Sequence, residues 1–269
     1  MDLNLKGKRA LITGGSRGIG LGVATQLAAE GVNLVLVARD GNRLAEVRAA
    51  LHARYGVDVT VAAADLYDPN TPAALVAQID DIDILVNNAN TPSGGSLEGL
   101  SEEQWLHNWS LKPFGYIRML RAFIPKLRAR GRGVIVNMIG QINQVATNKA
   151  LYSSASCAAL TTITRALAHE LAASNIRICG VGAWVVNTES VVEGYRAKAA
   201  EKLGDPSRWR ELMAHLPFGR AAHPQEVGDL VAFLVSDRAA YLSGQVIDLD
   251  GGYIGSTVPT LASGALAHE

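Results

Sequence analysis

The chain has 269 residues, with 25 Lys or Arg balanced by 25 Asp or Glu, so no net charge draws it toward nucleic acid or an anionic membrane. Hydrophobic residues make up 48%, charged residues only 19% against the ~25% usual in globular domains, and there are 27 glycines, a profile suited to a buried, helix-covered sheet. Two cysteines cannot build a disulfide framework and no run reaches the ~18 apolar residues of a membrane span.

The N-terminal stretch lacks the apolar core and cleavage site of a signal peptide, so a cytoplasmic protein is expected. The six histidines show no metal-ligand spacing, and no metal is expected.

Short apolar or β-branched runs predict strands at 10–13, 33–37, 57–62, 82–87, 133–138, 176–181 and 245–249. Helical patterns fall between them at 19–30, 43–55, 71–80, 101–129, 154–174 and 224–236. This alternation predicts an α/β fold, a doubly wound parallel sheet of about seven strands covered on both faces. With no repeat and no linker, residues 1–269 are expected to form one dinucleotide-binding domain. Two stretches break the rhythm: 186–216, which follows the sixth strand and is placed to act as a substrate lid, and a tail at 253–269 rich in small residues.

Residues 13–20 read TGGSRGIG, between the first strand and the first helix. A glycine-rich turn lets the backbone approach a pyrophosphate, and the helix behind it offers free N–H groups and a positive dipole end. After the second strand, where an acidic residue would take the ribose hydroxyls, stand Ala38 and Arg39. With Arg17 in the loop, this favours a 2′-phosphate and hence NADP(H), two solvated surface arginines being the plainer alternative. Asp65, after the third strand, suits an adenine amine or an ordinary turn equally well.

TGGSRGIG, NNAN at 87–90, GVIVN at 133–137, SCAAL at 156–160 and SGQVIDLDGG at 243–252 together resemble the short-chain dehydrogenase/reductase family over about residues 5–252. The resemblance implies a single Rossmann-like domain, a small-molecule substrate and assembly as a homotetramer or homodimer. It also implies cofactor contacts from Gly14, Ser16, Arg17, Gly18, Ile19, Gly20, Arg39, Asp65, Leu66 and Asn88. The family's usual chemistry uses an Asn, Ser, Tyr and Lys tetrad. Here alignment places Lys112 at the asparagine, Gly140 at the serine, Ser153 at the tyrosine and Cys157 at the lysine position. Asn90 stands in place of a glycine, and Ala183-Trp184 in place of the Pro-Gly pair beside the nicotinamide.

Candidate catalytic residues are therefore Tyr152, Lys112, Ser153 and Cys157. Tyr152 lies one position early, a rotation of about 100° on a helix, and reaches the site only if the preceding loop bulges. It would then pair with Lys112. Cys157 is a nucleophile candidate beside a lysine, with His107 the one conceivable base, or else a small buried hydrophobe. Gln141, Asn143, Gln144 and Asn148 follow the fifth strand and are placed to line the substrate side. Three functions fit these residues: an NADP(H)-dependent oxidoreductase of a small carbonyl or alcohol with a non-standard proton donor, a non-redox enzyme such as a lyase, isomerase, cyclase or hydrolase, and a catalytically silent NADP-binding protein.

Overall fold

A computed structural model describes residues 2–90, 94–142, 144 and 148–254. Seven strands form one sheet: β1 (Arg9–Thr13), β2 (Asn33–Ala38), β3 (Val59–Ala63), β4 (Ile84–Asn87), β5 (Gly133–Met138), β6 (Ile176–Ala183) and β7 (Val246–Leu249). Their order is β3-β2-β1-β4-β5-β6-β7 and every pair is parallel. Strands buried on both faces read as continuous apolar runs, as in Leu34–Val37 of β2. The winding reverses between β1 and β4, which opens a crevice beyond their carboxyl ends.

The helices are α1 (Gly18–Ala29), α2 (Gly41–Tyr55), α3 (Thr71–Gln78), α4 (Glu102–Leu111), α5 (Phe114–Arg130), α6 (Leu151–Ala172), α7 (Glu189–Leu203) and α8 (Pro224–Val235). Leu27 of α1, Leu44 of α2 and Val231 of α8 share one apolar layer with outward-facing strand residues, while Leu75 of α3, Phe123 of α5 and Leu171 of α6 share the layer on the opposite face. A third cluster lies apart from both, in α7 and the 3₁₀ turn Pro206–Met213, around Ala199, Trp209 and Met213.

The single helix expected over 101–129 is two helices. Pro113 has no N–H to donate, and its ring forces the preceding residue out of the helical region. Lys112 accordingly takes φ −137° and ψ 113°, ending α4. The N-terminus of α4 is set by a reciprocal pair, in which the Ser101 hydroxyl accepts from the Gln104 N–H and the Gln104 side chain accepts from the Ser101 N–H. The third and fourth strands begin two residues later than expected, at Val59 and Ile84. The tail beyond Ile254 lies outside the described residues.

Candidate active site and cofactor cleft

At the mouth of the crevice the chain leaves β1, turns through Gly14 to Arg17, and enters α1. Gly14 and Gly18 hold φ of +67° and +55°, conformations that favour glycine. A Cβ on Gly20 would stand 2.2 Å from the Gly14 carbonyl oxygen and 2.6 Å from Asn88 Nδ2, so only glycine fits there. No side chain caps α1 and its first turn holds no acidic residue, while the first helical N–H to find a carbonyl is that of Leu21, on Arg17. The N–H groups of the first turn are left for an anion. This cradle fits the pyrophosphate of an adenine dinucleotide.

Asn88 supports the loop from β4: its backbone N–H donates to Thr13 Oγ1 at 2.8 Å and its Nδ2 to the Thr13 carbonyl at 2.9 Å. Ser16 is buried, whereas Arg17 and Arg39 are exposed at the adenosine end. The Arg39 guanidinium lies 6.0 Å from the Tyr67 ring centre, and Tyr67 stacks on His107 at 4.4 Å. Asp65 Oδ1 accepts the Tyr67 N–H at 3.0 Å in the turn after β3, and Leu66 beside it is buried against the core. Arg43 did not figure among the cofactor residues expected from sequence. Its Nε donates to the Ser16 carbonyl at 3.1 Å and its guanidinium pairs with Glu189 at 2.6 Å. The signal was a third arginine, four residues beyond Arg39 in the first turn of the next helix.

At the other end of the crevice, the break between α4 and α5 turns the Lys112 side chain inward. Its ammonium donates to the Met138 and Ile139 carbonyls at 3.1 and 2.5 Å, and lies 5.7 Å from the Tyr116 ring centre. Cys157 Sγ donates to the same Ile139 carbonyl at 2.7 Å, bringing thiol and ammonium together. Burial holds Lys112 below its ordinary pKa, and the neighbouring Cys157 opposes that shift. Burial and then Cys157 push the Tyr116 phenol, which donates to the Met138 carbonyl, well above its ordinary value. Gly140, at φ +85°, leaves room beside them: a Cβ there would lie 3.7 Å from Cys157 Sγ.

Ser153 sits one helical turn before Cys157, in the same row of α6. Tyr152 lies in the neighbouring row. Its ring meets Trp105 edge-on at 6.3 Å, and its carbonyl accepts from Trp109 Nε1 at 3.2 Å. The structure therefore joins Lys112 to Cys157, and places Tyr152 on the aromatic side chains of α4. His107 stacks on Tyr67 rather than meeting Cys157.

The wall beyond β5 to β7 is polar. Gln141 is 1% exposed, and both its amide atoms lack a hydrogen bond of good geometry among the described residues. Gln144 Nε2 donates to Asp248 at 2.7 Å, Asn148 is exposed, and Asn143 lies outside the described residues. Trp184 stacks on Tyr253 at 4.8 Å and packs with the Trp209 and Met213 cluster. Its indole N–H is also buried without a partner among the described residues. Within those same residues, no group of three or more His, Cys, Asp or Glu could hold a metal ion, and no helix is long and apolar enough to cross a membrane.

Known proteins share this fold. A family model described as enoyl-(acyl carrier protein) reductase matches residues 14–254. L-xylulose reductase of Bos taurus is 31% identical over 256 residues, covering 94% of this chain and 99% of its own. Oxidoreductase UcpA of Escherichia coli is 34% identical over 267 residues, covering 96% and 98%. Among solved structures, L-sorbose reductase from Gluconobacter frateurii, complexed with NADPH and L-sorbose, superposes with a TM-score of 0.90 at 32% identity, covering 94% of this chain and 99% of that one. Matched along nearly its whole described length in both sequence and structure, the chain belongs to the short-chain dehydrogenase/reductase family.

Proposed function

We propose that the protein is an NADP(H)-dependent oxidoreductase of small hydroxylated carbonyls or alcohols, working with a rebuilt proton-delivery site. The observation that carries this reading is the uncapped glycine cradle at α1, with Arg17 and Arg39 at the end where a 2′-phosphate belongs. Gly14, Gly18, Ile19 and Gly20 would hold the pyrophosphate, the two arginines the adenosine phosphate, and Asp65 and Leu66 the edge of the adenine. Bound there, the cofactor would supply hydride to a carbonyl carbon in its reduced form, or take hydride from the carbinol carbon of an alcohol in its oxidised form.

On this chain's side, the tetrad positions fall to Lys112, Gly140, Ser153 and Cys157. Lys112 keeps a buried cation beside the reacting end, Cys157 is its partner, and Ser153 offers a hydroxyl from the same face of α6. Gln141 and Asp248 line a wall suited to a hydroxyl-bearing substrate, in keeping with relatives named for L-xylulose and L-sorbose. Residues 186–216 act as the lid, and a cytoplasmic location suits a cofactor-dependent reductase. A homo-oligomer forms through the apolar groove of about 570 Å³ between α5 and α6, lined by Leu120, Ile124, Ile163 and Leu167.

A second reading is favoured by the buried Lys112 and Cys157: a non-redox enzyme on the same scaffold, using this pair without hydride transfer. A silent NADP-binding protein is the third. Fluorescence titration with NADPH and NADH, followed by NADPH consumption with a ketose and diketone panel, separates them. Saturable NADPH binding with turnover supports the oxidoreductase. Binding without turnover favours the silent protein, and product formation after the dinucleotide has been stripped favours the non-redox enzyme. Absence of binding by either nucleotide removes the first and third readings.

A further inference from the structure

Arg43 stands where two functional segments meet. Its backbone N–H is fixed by the Asp40 carboxylate that caps α2, at 3.0 Å. Long helical side chains lean toward the helix N-terminus, which carries this guanidinium over the glycine loop. There Nε donates to the Ser16 carbonyl at 3.1 Å, and one terminal nitrogen pairs with Glu189 at 2.6 Å. Glu189 is the first residue of α7. The residue before it, Thr188, presses on the same loop, for a Cβ on Gly18 would lie 3.3 Å from Thr188 Cγ2. The start of the segment that covers the reactive end is thus tied to the loop at the adenosine end.

The tie is a weak one. Glu189 is 61% exposed and Arg43 35%, and solvent screens exposed ion pairs strongly. A phosphate monoester carries about −1.5 to −2 charges near neutral pH and binds guanidinium in a two-pronged geometry, so it outcompetes a single carboxylate for the same cation. Arg17 at the start of α1, Arg39 just after β2 and Arg43 in the first turn of α2 all stand on the segments that form this end of the crevice. Asp40 is occupied with capping, which leaves Glu189 as the acid facing Arg43.

We propose that Arg43 is a specificity-determining residue for the phosphorylated adenosine end, and that Glu189 holds it parked until a phosphate displaces the carboxylate. The Ser16 bond acts as the pivot about which the guanidinium turns. Release of Glu189 then frees the first turn of α7, so occupancy at one end of the crevice loosens the cover over the other. This inference rests on the NADP(H) reading above.

The test is calorimetric titration of 2′,5′-ADP and 5′-AMP into the wild-type protein, Arg43→Ala and Glu189→Gln. The wild type should prefer 2′,5′-ADP. Arg43→Ala should weaken 2′,5′-ADP about tenfold, with 5′-AMP unchanged. Glu189→Gln should tighten 2′,5′-ADP about two- to fourfold, again without effect on 5′-AMP. If Arg43→Ala weakens both nucleotides equally, the residue only supports the loop and the inference fails. If it weakens neither, or if Glu189→Gln weakens 2′,5′-ADP, the inference fails as well, although a wild-type preference for 2′,5′-ADP leaves the NADP(H) reading standing. A wild-type protein that does not distinguish the two nucleotides overturns both.

Discussion

Lys112 is 6% exposed and its ammonium meets two carbonyls and a thiol, with no carboxylate paired to it among the described residues. Burying an unpaired charge costs several kcal/mol, and residues that break this rule tend to sit at functional sites. Lys112→Met should raise the unfolding free energy by about 1–3 kcal/mol in urea titrations while impairing turnover. A destabilised variant would mean that the ammonium is structural. The pH dependence has a definite sign. The native pKa lies below the 10.5 of the unfolded chain, so between those values the unfolded state binds more protons and stability rises with pH. Lys112→Met should flatten that rise.

Glu226 gives the same sign at acid pH, here because the native state favours its charged form. The Arg220 guanidinium, then the His223 N–H, hold its carboxyl at about 2 against 4.5 unfolded. Its contribution is complete above pH 4.5 and is lost as pH falls through 2. Because the side chain is 41% exposed, Glu226→Gln should lower stability at pH 7 by no more than about 1 kcal/mol, an effect that dwindles in thermal melts as pH falls through 2. At Gly20 the expected effect is larger. Gly20→Ala forces a methyl into the Gly14 carbonyl and should abolish NADPH binding in the fluorescence titration, with a stability loss of about 2 kcal/mol or more.

Among the elements, the strands and most helices were legible because apolar periodicity directly reflects burial on a covered parallel sheet. The break at Pro113 was missed because the residues on both sides keep a helical pattern, so the proline alone carried the signal. That one residue turns Lys112 from an exposed helix lysine into a buried cation. The rotation of Tyr152 away from the Cys157 row followed from helical geometry. Its partners Trp105 and Trp109 did not, since they come from a separate helix. The contacts of Arg43 were missed for the same reason, for they span 27 and 146 residues of chain. The segment after β6 holds an apolar cluster of its own, so its stability is local. Trp209→Ala should raise amide exchange across 189–216 and increase the substrate KM, while exchange in β1, β4 and β5 stays unchanged. Loosening of the whole sheet would refute this independence.

For the whole molecule, a monomer would leave the apolar groove between α5 and α6 facing water. Patches of this kind mark interaction surfaces in folded proteins. Ile124→Arg with Leu167→Arg should convert the proposed homo-oligomer to monomers in sedimentation velocity, with the circular dichroism spectrum retained. A wild-type monomer would reject the assembly outright. Composition and motif order made the architecture readable without coordinates, because glycine loops and covered strands impose short-range patterns. Which side chains converge at the reactive end depends on packing between distant segments.

Among the described residues β7 is the last strand and lies at the rim of the sheet, paired there with β6 alone. A ribosome making this protein therefore completes the glycine-loop half long before Asp248, which finishes the opposite wall, has been translated. A premature stop before Val246 would yield a product with its dinucleotide loop intact and the hydrogen-bonding edge of β6 bare. Such a fragment would be recruited into aggregates or cleared by proteases, rather than persist as a cofactor-sequestering species.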